Sequence, residues 1–376
     1  MKEKINLLYI ITKLELGGAQ QQLLELIKRL DKEKFNPFLF TAKDGFLMER
    51  ALSQEGLTVK RSAWLDRSIN PLKDFLSFIE IYRFIRHNGI DFVHTHSSKA
   101  GIIGRWAAKL AGAKKIIHTV HGWSFNEHQS FFFRNFFLCL ERITAAITDK
   151  LIVVCEYDLA KGLKYGIGRN SKYTIIRYGI RKEDFASRDT LSVRAELGIG
   201  GKDFVVGNIS CFKPQKCVAD FIRMAFLVDK AVPHVKFLLI GDGREREGIE
   251  KMVDRFSLRK KLILLGWRQD IPRLLAAMDV FVLTSLWEGL PISVLEAMAS
   301  GRPVVATDTG GIAEAVREGS TGFLVPCRSI EGLSQKVVFL SKEKRLREEI
   351  GKNGPAYLTG RFGWDEAVEA HCRLYL

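Results

Sequence analysis

Cysteine is scarce and scattered in this chain: six residues, Cys139, Cys155, Cys211, Cys217, Cys327 and Cys372, with no Cys-x-x-Cys pair. That spacing suggests neither a zinc site nor a disulfide framework, so a reducing cytoplasm is the simplest home. No apolar run is long enough to span a bilayer. The N-terminal run Ile5 to Ile11 is short, lacks a small-residue cleavage pattern and meets Lys13 and Glu15 directly, so it reads as a buried first strand rather than a signal peptide. Short repeats and low-complexity tracts are missing as well. Gly241-x-Gly243 lacks the third glycine of a dinucleotide fingerprint, because Arg246 stands in its place; NAD binding is not expected, and the pair reads as a cleft-lining turn.

What is present is an ordinary globular composition, 47% hydrophobic and 27% charged over 376 residues, enough for two domains. Lys and Arg outnumber Asp and Glu by 58 to 43, a formal charge of +15. The partner is therefore expected to be anionic, and charge alone does not choose among a nucleotide sugar, an acidic membrane surface and nucleic acid. Short apolar runs alternate with helical patterns twice over. In the first half they fall at Ile5 to Ile11, Asn36 to Thr41, Thr58 to Ser62, Phe92 to His96, Ile116 to Val120 and Lys150 to Val154. A polar, turn-rich stretch from Tyr178 to about Arg188 follows. The second series comprises Phe204 to Ile209, Val235 to Ile240, Leu262 to Leu265, Val280 to Thr284, Val304 to Thr307 and Gly322 to Val325. Helices between such strands imply parallel sheets, so the fold class is α/β, with two Rossmann-like domains facing a cleft.

The segment Glu288-Gly-Leu-Pro-Ile-Ser-Val-Leu-Glu296 places two carboxylates eight residues apart around a turn that should open a helix. Pro291 suits a first helical turn, where a missing N–H has no intrahelical partner, and the free N–H groups there can hold a diphosphate. Glu288 can accept hydrogen bonds from sugar hydroxyls, and Glu296 can reach a ribose. An ordinary capped helix with two surface acids would read the same on spacing alone, so the neighbours decide. Gly301-Arg-Pro-Val-Val-Ala-Thr-Asp-Thr-Gly-Gly-Ile-Ala-Glu314 continues as a buried strand, a double-glycine turn at Gly310-Gly311 and a helix entered near Glu314. Together with Gly17-Gly18-Ala19-Gln20, His118-Thr-Val-His121-Gly122, Glu141-Arg142, Tyr178-Gly179-Ile180, Lys213-Pro-Gln-Lys216 and Leu265-Gly266, these segments resemble the family-4 retaining glycosyltransferases of the GT-B fold, along nearly the whole chain.

That resemblance implies transfer of a sugar from a nucleotide-diphosphate donor, UDP-sugar favoured over GDP-sugar, to a glycan or lipid-linked acceptor. Retention of configuration in cell-surface polysaccharide or lipopolysaccharide synthesis is the implied outcome. Residues 1–185 would form the acceptor-side domain, residues 186–363 the nucleotide-sugar domain, and the helix 364–376 would pack back on the first. His121, Lys216 and Glu288 are the expected catalytic residues. Lys216 is placed to steady the leaving diphosphate with its point charge. Gly17, Gly18, Lys213, Gly266, Trp267, Arg268, Gly289, Leu290 and Glu296 are expected to bind the donor, the nucleotide base lying near Gly266-Trp267-Arg268. His96, Lys99 and Trp123 are expected on the acceptor side, and His94 and His96 to orient the acceptor or the loop Ser97-Ser98-Lys99. Many members carry Arg five residues before the lysine; Cys211 stands there, leaving Lys213 to supply the second cation.

No Asp-x-Asp triplet occurs in the chain, so no metal and no other cofactor is expected to be obligatory. The run Phe131-Phe-Phe-Arg-Asn-Phe-Phe137 reads first as a helix apolar all round and therefore buried. The other reading is a patch that, with Lys114 and Lys115, meets an anionic membrane surface from the inner, cytoplasmic side. Nucleic acid is not an expected partner. Two rival functions stay open: a GT-B sugar-nucleotide 2-epimerase, and a non-catalytic basic protein binding membrane or polyanion.

Overall fold

A computed structural model describes residues 4–186 and 189–376; Ser187 and Arg188, in the turn-rich stretch, lie outside the described residues. The chain divides into two compact units, one running up to Arg177 and regaining Asp365–Leu376, the other Tyr178–Trp364. That boundary falls earlier in the chain than 185/186.

The first unit is built on seven parallel strands: β1 (Ile5–Ile10), β2 (Phe35–Ala42), β3 (Thr58–Ser62), β4 (Phe92–His96), β5 (Lys115–Val120), β6 (Lys150–Val153) and β7 (Tyr173–Ile175), in the order β3-β2-β1-β4-β5-β6-β7. The inner strands are continuous apolar runs because helices cover both faces. Leu7, Leu8, Tyr9 and Ile10 are all fully buried. β7 has three half-buried residues, too few to stand out in sequence. The C-terminal helix Trp364–Tyr375 belongs here: the Tyr375 hydroxyl lies 2.7 Å from His94 Nδ1 and 3.1 Å from the Tyr9 hydroxyl.

The second unit carries six parallel strands: β8 (Phe204–Ile209), β9 (Val235–Ile240), β10 (Leu262–Gly266), β11 (Val280–Leu283), β12 (Val304–Thr307) and β13 (Gly322–Val325), in the order β10-β9-β8-β11-β12-β13. Its core clusters Phe221, Phe237, Val282, Val305, Leu333 and Val337. In each sheet the strand order reverses once, between β1 and β4 and between β8 and β11. Connections leave such a point in opposite directions, opening a crevice at the carboxyl ends of the strands, where α/β folds bind ligands.

Candidate active site

At the switch point of the second sheet the structure brings Lys216 and Glu288 together. β8 ends at Ile209 and leads to the single turn Pro214–Lys216; β11 ends at Leu283 and leads to Glu288. The Lys216 ammonium bonds to Glu288 Oε1, and the Ser285 hydroxyl donates to the same oxygen at 2.6 Å. One backbone and one side-chain hydrogen bond hold the loops in this register. Leu286 N–H donates to Gln215 O at 2.8 Å, and the Thr284 hydroxyl donates to Lys216 O at 3.0 Å. Gln215 completes the clasp, its amide donating to Trp287 O at 2.8 Å. Cys217 takes φ 43°, ψ 49°, a left-handed conformation uncommon for a residue with a Cβ, and from it starts the helix Val218–Ala231. Such backbone is held only where the surroundings over-determine it, as at functional turns.

The double-glycine turn explains itself in the same place. Gly310 has φ +59°, and a Cβ there would lie 2.0 Å from the Glu288 carbonyl oxygen. Gly311 N–H donates to Gly289 O at 2.7 Å. Only glycine lets this loop lie on the Glu288-Gly289 backbone. Gly241 and Gly243 play a parallel part below Lys216: a Cβ on either would strike Ser210 O or Phe212 O, at 2.0 and 2.5 Å.

The helix after Glu288 runs Ile292–Ala299, so Pro291 is its N-cap rather than a first-turn residue. No side chain caps it and no acid sits in its first turn. Its leading N–H groups, beside Gly289 and Leu290, therefore keep their capacity for an anion. Glu296 lies in this helix, nearly buried, and burial pushes its carboxyl up to about 7. Further out, Gly266 ends edge strand β10 at φ +65°, with its carbonyl accepting from Gly241 N–H at 2.8 Å. Arg268 is clamped by Asp270 through two bonds of 2.7 and 2.6 Å. Lys213 forms the N-cap of the Pro214–Lys216 turn. The helix expected near Glu314 is the short Ile312–Ala315.

The first unit has its own convergence at the corresponding sheet end. His96, the last residue of β4, and His121, just past β5, meet at 2.9 Å between Nδ1 and Nε2, with rings stacked at 5.2 Å. Burial holds His121 down at about 3, with His371 adding repulsion, and keeps His94 and His96 well below the usual histidine range. Both rings of the pair are thus neutral at physiological pH. His96 Nε2 is buried with no hydrogen-bond partner among the described residues. Gly17 caps the helix Gly18–Arg29, which has neither a side-chain cap nor an acid in its first turn.

Three residues expected on this side are held by partners that the fold brings to them. Trp123 is 7% exposed, packs with Phe125, Leu138 and Leu151, and donates its indole N–H to Asp158 O at 2.8 Å; it is a core residue, with no face left for an acceptor. Lys99 is tied down, donating to Ser68 O and pairing with Asp74, so it anchors the helix Ser98–Ala111 to the helix Pro71–His87. His94 orients no loop: its Nε2 lies 2.7 Å from the Thr119 hydroxyl while Nδ1 meets Tyr375, which joins β4 to β5 and to the C-terminal helix. Ser285, Gln215 and Thr284 went unread in sequence. Gln215 stood inside the segment Lys213-Pro-Gln-Lys216, but nothing local marks Ser285 or Thr284.

Comparison with known proteins converges on one family. The description "Glycosyltransferase Family 4" matches residues 16–184 and "Glycosyl transferases group 1" matches residues 189–357. The UDP-Gal:alpha-D-GlcNAc-diphosphoundecaprenol alpha-1,3-galactosyltransferase of Escherichia coli is 32% identical over 91% of this chain and 89% of its own. The N,N'-diacetylbacillosaminyl-diphospho-undecaprenol alpha-1,3-N-acetylgalactosaminyltransferase of Campylobacter jejuni is 28% identical over 88% of each. Among solved structures, Anabaena HepE in complex with UDP-glucose superposes with a TM-score of 0.84 at 22% identity, over 99% of this chain and 100% of that one. Two parallel Rossmann-like sheets and these likenesses define a GT-B protein, and the chain belongs to the family-4, group 1 glycosyltransferases, enzymes of polysaccharide or lipid-linked glycan synthesis.

Proposed function

We propose that this enzyme transfers a hexose or N-acetylhexosamine from a UDP-sugar to a sugar carried on a polyprenyl diphosphate, with retention of anomeric configuration. The observation that carries the reading is the Lys216–Glu288 pair at the switch point, beside an uncapped helix N-terminus. A donor diphosphate would take Lys216 from Glu288. The freed carboxylate would then accept hydrogen bonds from the sugar hydroxyls, so each partner stabilises a different part of one ligand. Lys213 and the amides at Gly289-Leu290 add to the phosphate site, Glu296 takes the ribose, and the base lies toward Gly266-Trp267-Arg268. Amides at Gly17-Gly18 and the neutral His121 serve the transferred sugar. As the sugar–phosphate bond lengthens, charge grows on the leaving oxygen, and preorganised donors there lower the barrier without reorganising. A leaving phosphate oxygen on the face that the acceptor approaches can take the hydroxyl proton, which gives retention.

Support for the acceptor class comes from the Escherichia coli and Campylobacter relatives, both named for acceptors on diphosphoundecaprenol. Such an acceptor lies in a membrane, and no helix among the described residues is long and apolar enough to cross one. We therefore place the enzyme peripherally, on the cytoplasmic face. No metal is required in this scheme, because lysine and helix amides neutralise the diphosphate; activity should persist in excess chelator.

The test is a thermal-shift panel of UDP-, GDP- and ADP-sugars with chelator, on the wild type and Lys216→Ala. It is followed by product analysis with a short-chain polyprenyl diphosphate sugar. A ligand at ~100 times its dissociation constant adds about 2.7 kcal/mol to the folded state. A shift with UDP-sugars that Lys216→Ala loses, and an axial anomeric linkage from an axial donor, are the expected results. A shift with no donor, or conversion of UDP-N-acetylglucosamine without acceptor, would sink the proposal.

A further inference from the structure

The helix Phe131–Ala146 overturns the buried reading of its aromatic run. Phe131, Phe132, Phe133 and Phe136 are 67%, 84%, 62% and 55% exposed, and Ile143 is 51% exposed. Phe132, Phe136, Cys139 and Ile143 recur at helical spacing, so they form one outward stripe over three turns. The inward face is fixed. Arg105 and Glu141 form a buried ion pair at 2.9 Å, Trp106 donates its indole N–H to the Thr144 hydroxyl at 3.2 Å, and Leu138 and Ala145 join the core. The helix has no freedom to roll the phenylalanines under. Neighbouring rings pack edge to face, Phe131 on Phe132 at 5.9 Å and Phe136 on Phe137 at 5.7 Å.

We infer that this ridge docks the enzyme on an anionic lipid bilayer, deepening the lipid-linked acceptor reading on which it rests. Position supports that occupant. The helix follows β5 and begins ten residues after His121, so its phenylalanine end stands at the carboxyl edge of the first sheet, the edge that carries His96, His121 and Gly17. Charge supports it too. The only acid in the helix, Glu141, is buried against Arg105, and Arg134 and Arg142 are its remaining charges. The exposed face thus offers aromatics and cations with no acid among them, which suits the interfacial zone of an acidic membrane. Glu127, in the preceding loop, and Asp149, beyond the far end of the helix, are the nearest exposed acids by sequence. A second copy of the chain fits less well, since a two-fold contact would set the same basic face against itself. Lys114 and Lys115 take no part: they lie at the opposite edge of the sheet, paired with Asp91 and with the Leu374 carbonyl.

The test is flotation of the full chain with vesicles of phosphatidylglycerol and phosphatidylethanolamine, against phosphatidylcholine alone, for the wild type and Phe132→Ser/Phe136→Ser. Both positions are exposed, so the double variant should melt as the wild type does. Its partition onto anionic vesicles should fall at least ~10-fold, since burying a phenylalanine is worth about a decade or more in an equilibrium constant. Turnover should fall with a full-length polyprenyl acceptor in vesicles and stay unchanged with a short, water-soluble one. Wild-type protein that floats with neither vesicle, equal flotation of the variant, or equal binding to neutral vesicles would overturn the inference. So would dimers in sedimentation that the variant abolishes. The donor thermal shift is read without lipid, so failure of the glycosyltransferase reading registers separately.

Discussion

At the switch point of the second sheet two charged side chains meet, Lys216 and Glu288, whereas beside that of the first sheet, at the ends of β4 and β5, His96 meets His121 and neither ring carries a charge at neutral pH. The carboxyl ends of the two sheets have been given opposite electrostatics by what surrounds them. In the second unit each charge has a partner, and the Glu288 carboxylate accepts further hydrogen bonds from Ser285 and Gln215, as burial of an ion requires. In the first, histidines crowd one another in the buried interior, His94 and His96 with centroids 4.3 Å apart, and burial makes the neutral form the cheaper one. A cation beside a helix N-terminus suits a diphosphate that gains charge in the transition state. Neutral imidazoles suit uncharged hydroxyls, because each keeps one donor and one acceptor nitrogen.

The largest effect should come from breaking the charged pair. Lys216→Ala removes the only side-chain cation bonded to Glu288 among the described residues, and turnover should fall on the order of 10²–10³-fold. Lys216→Ala also leaves Glu288 nearly buried without its counter-ion, so the melting temperature should drop; adding Glu288→Gln should recover stability but not activity. Recovery of both would mean that the pair is structural. Next comes Gly310→Ala, which combines a left-handed backbone with a Cβ 2.0 Å from Glu288 O. A cost of roughly 3 kcal/mol is expected from that overlap and strain, with activity lost as the loop lifts from Glu288. An active Gly310→Ala enzyme with wild-type stability would show that the turn does not shape this site.

How much of this was legible beforehand follows from range. The inner strands stood out because strands covered on both faces are near-continuous apolar runs, and twelve of the thirteen were read; β7 escaped as a three-residue edge strand, Tyr-Thr-Ile. Lys216 and Glu288 were each legible in their motifs, but their contact spans 72 residues of sequence and no local pattern encodes it. The surroundings of Trp123 and Lys99 were illegible for the same reason. Their fates were decided by Asp158, Ser68 and Asp74, which only folding brings near. The phenylalanine run shows a further limit: a helix apolar all round states how greasy each face is, and not which face the neighbouring helices cover.

Acid titration sharpens the contrast, since the two units should respond to pH with opposite sign. Glu296 binds its proton more tightly folded than unfolded, its carboxyl raised to about 7 by burial. Between its ordinary range and about pH 7 the native state therefore holds more protons than the unfolded one, and stability falls as pH rises through that window. Glu296→Gln should flatten this limb, a difference of roughly 3 kcal/mol at most by the usual 1.36 kcal/mol per unit. Nucleotide affinity should run the other way. A ribose hydroxyl donates to the ionised carboxylate, so UDP binding expels the proton and weakens below about pH 7, by up to ~10-fold per unit, in the wild type only. A flat calorimetric profile for the wild type would remove Glu296 from the donor site.

The last effect concerns the histidine end, where the sign reverses. His121, held near 3, and His371, held near 4, bind protons more readily unfolded than folded, because burial penalises their charged forms. Their contribution to stability is present above the unfolded histidine value of about 6.5 and is lost as pH falls through the range toward 3. His121→Asn keeps a polar side chain without a titrating ring. It should lessen the acid destabilisation of the wild type below about pH 6 while leaving the opposing Glu296 contribution, which overlaps it and extends to about pH 7, intact, as read by urea unfolding at a series of pH values. Two limbs that respond separately to the two substitutions would show that each unit sets its own protonation state at its own sheet end; a single limb moved by both would mean that the two ends titrate as one.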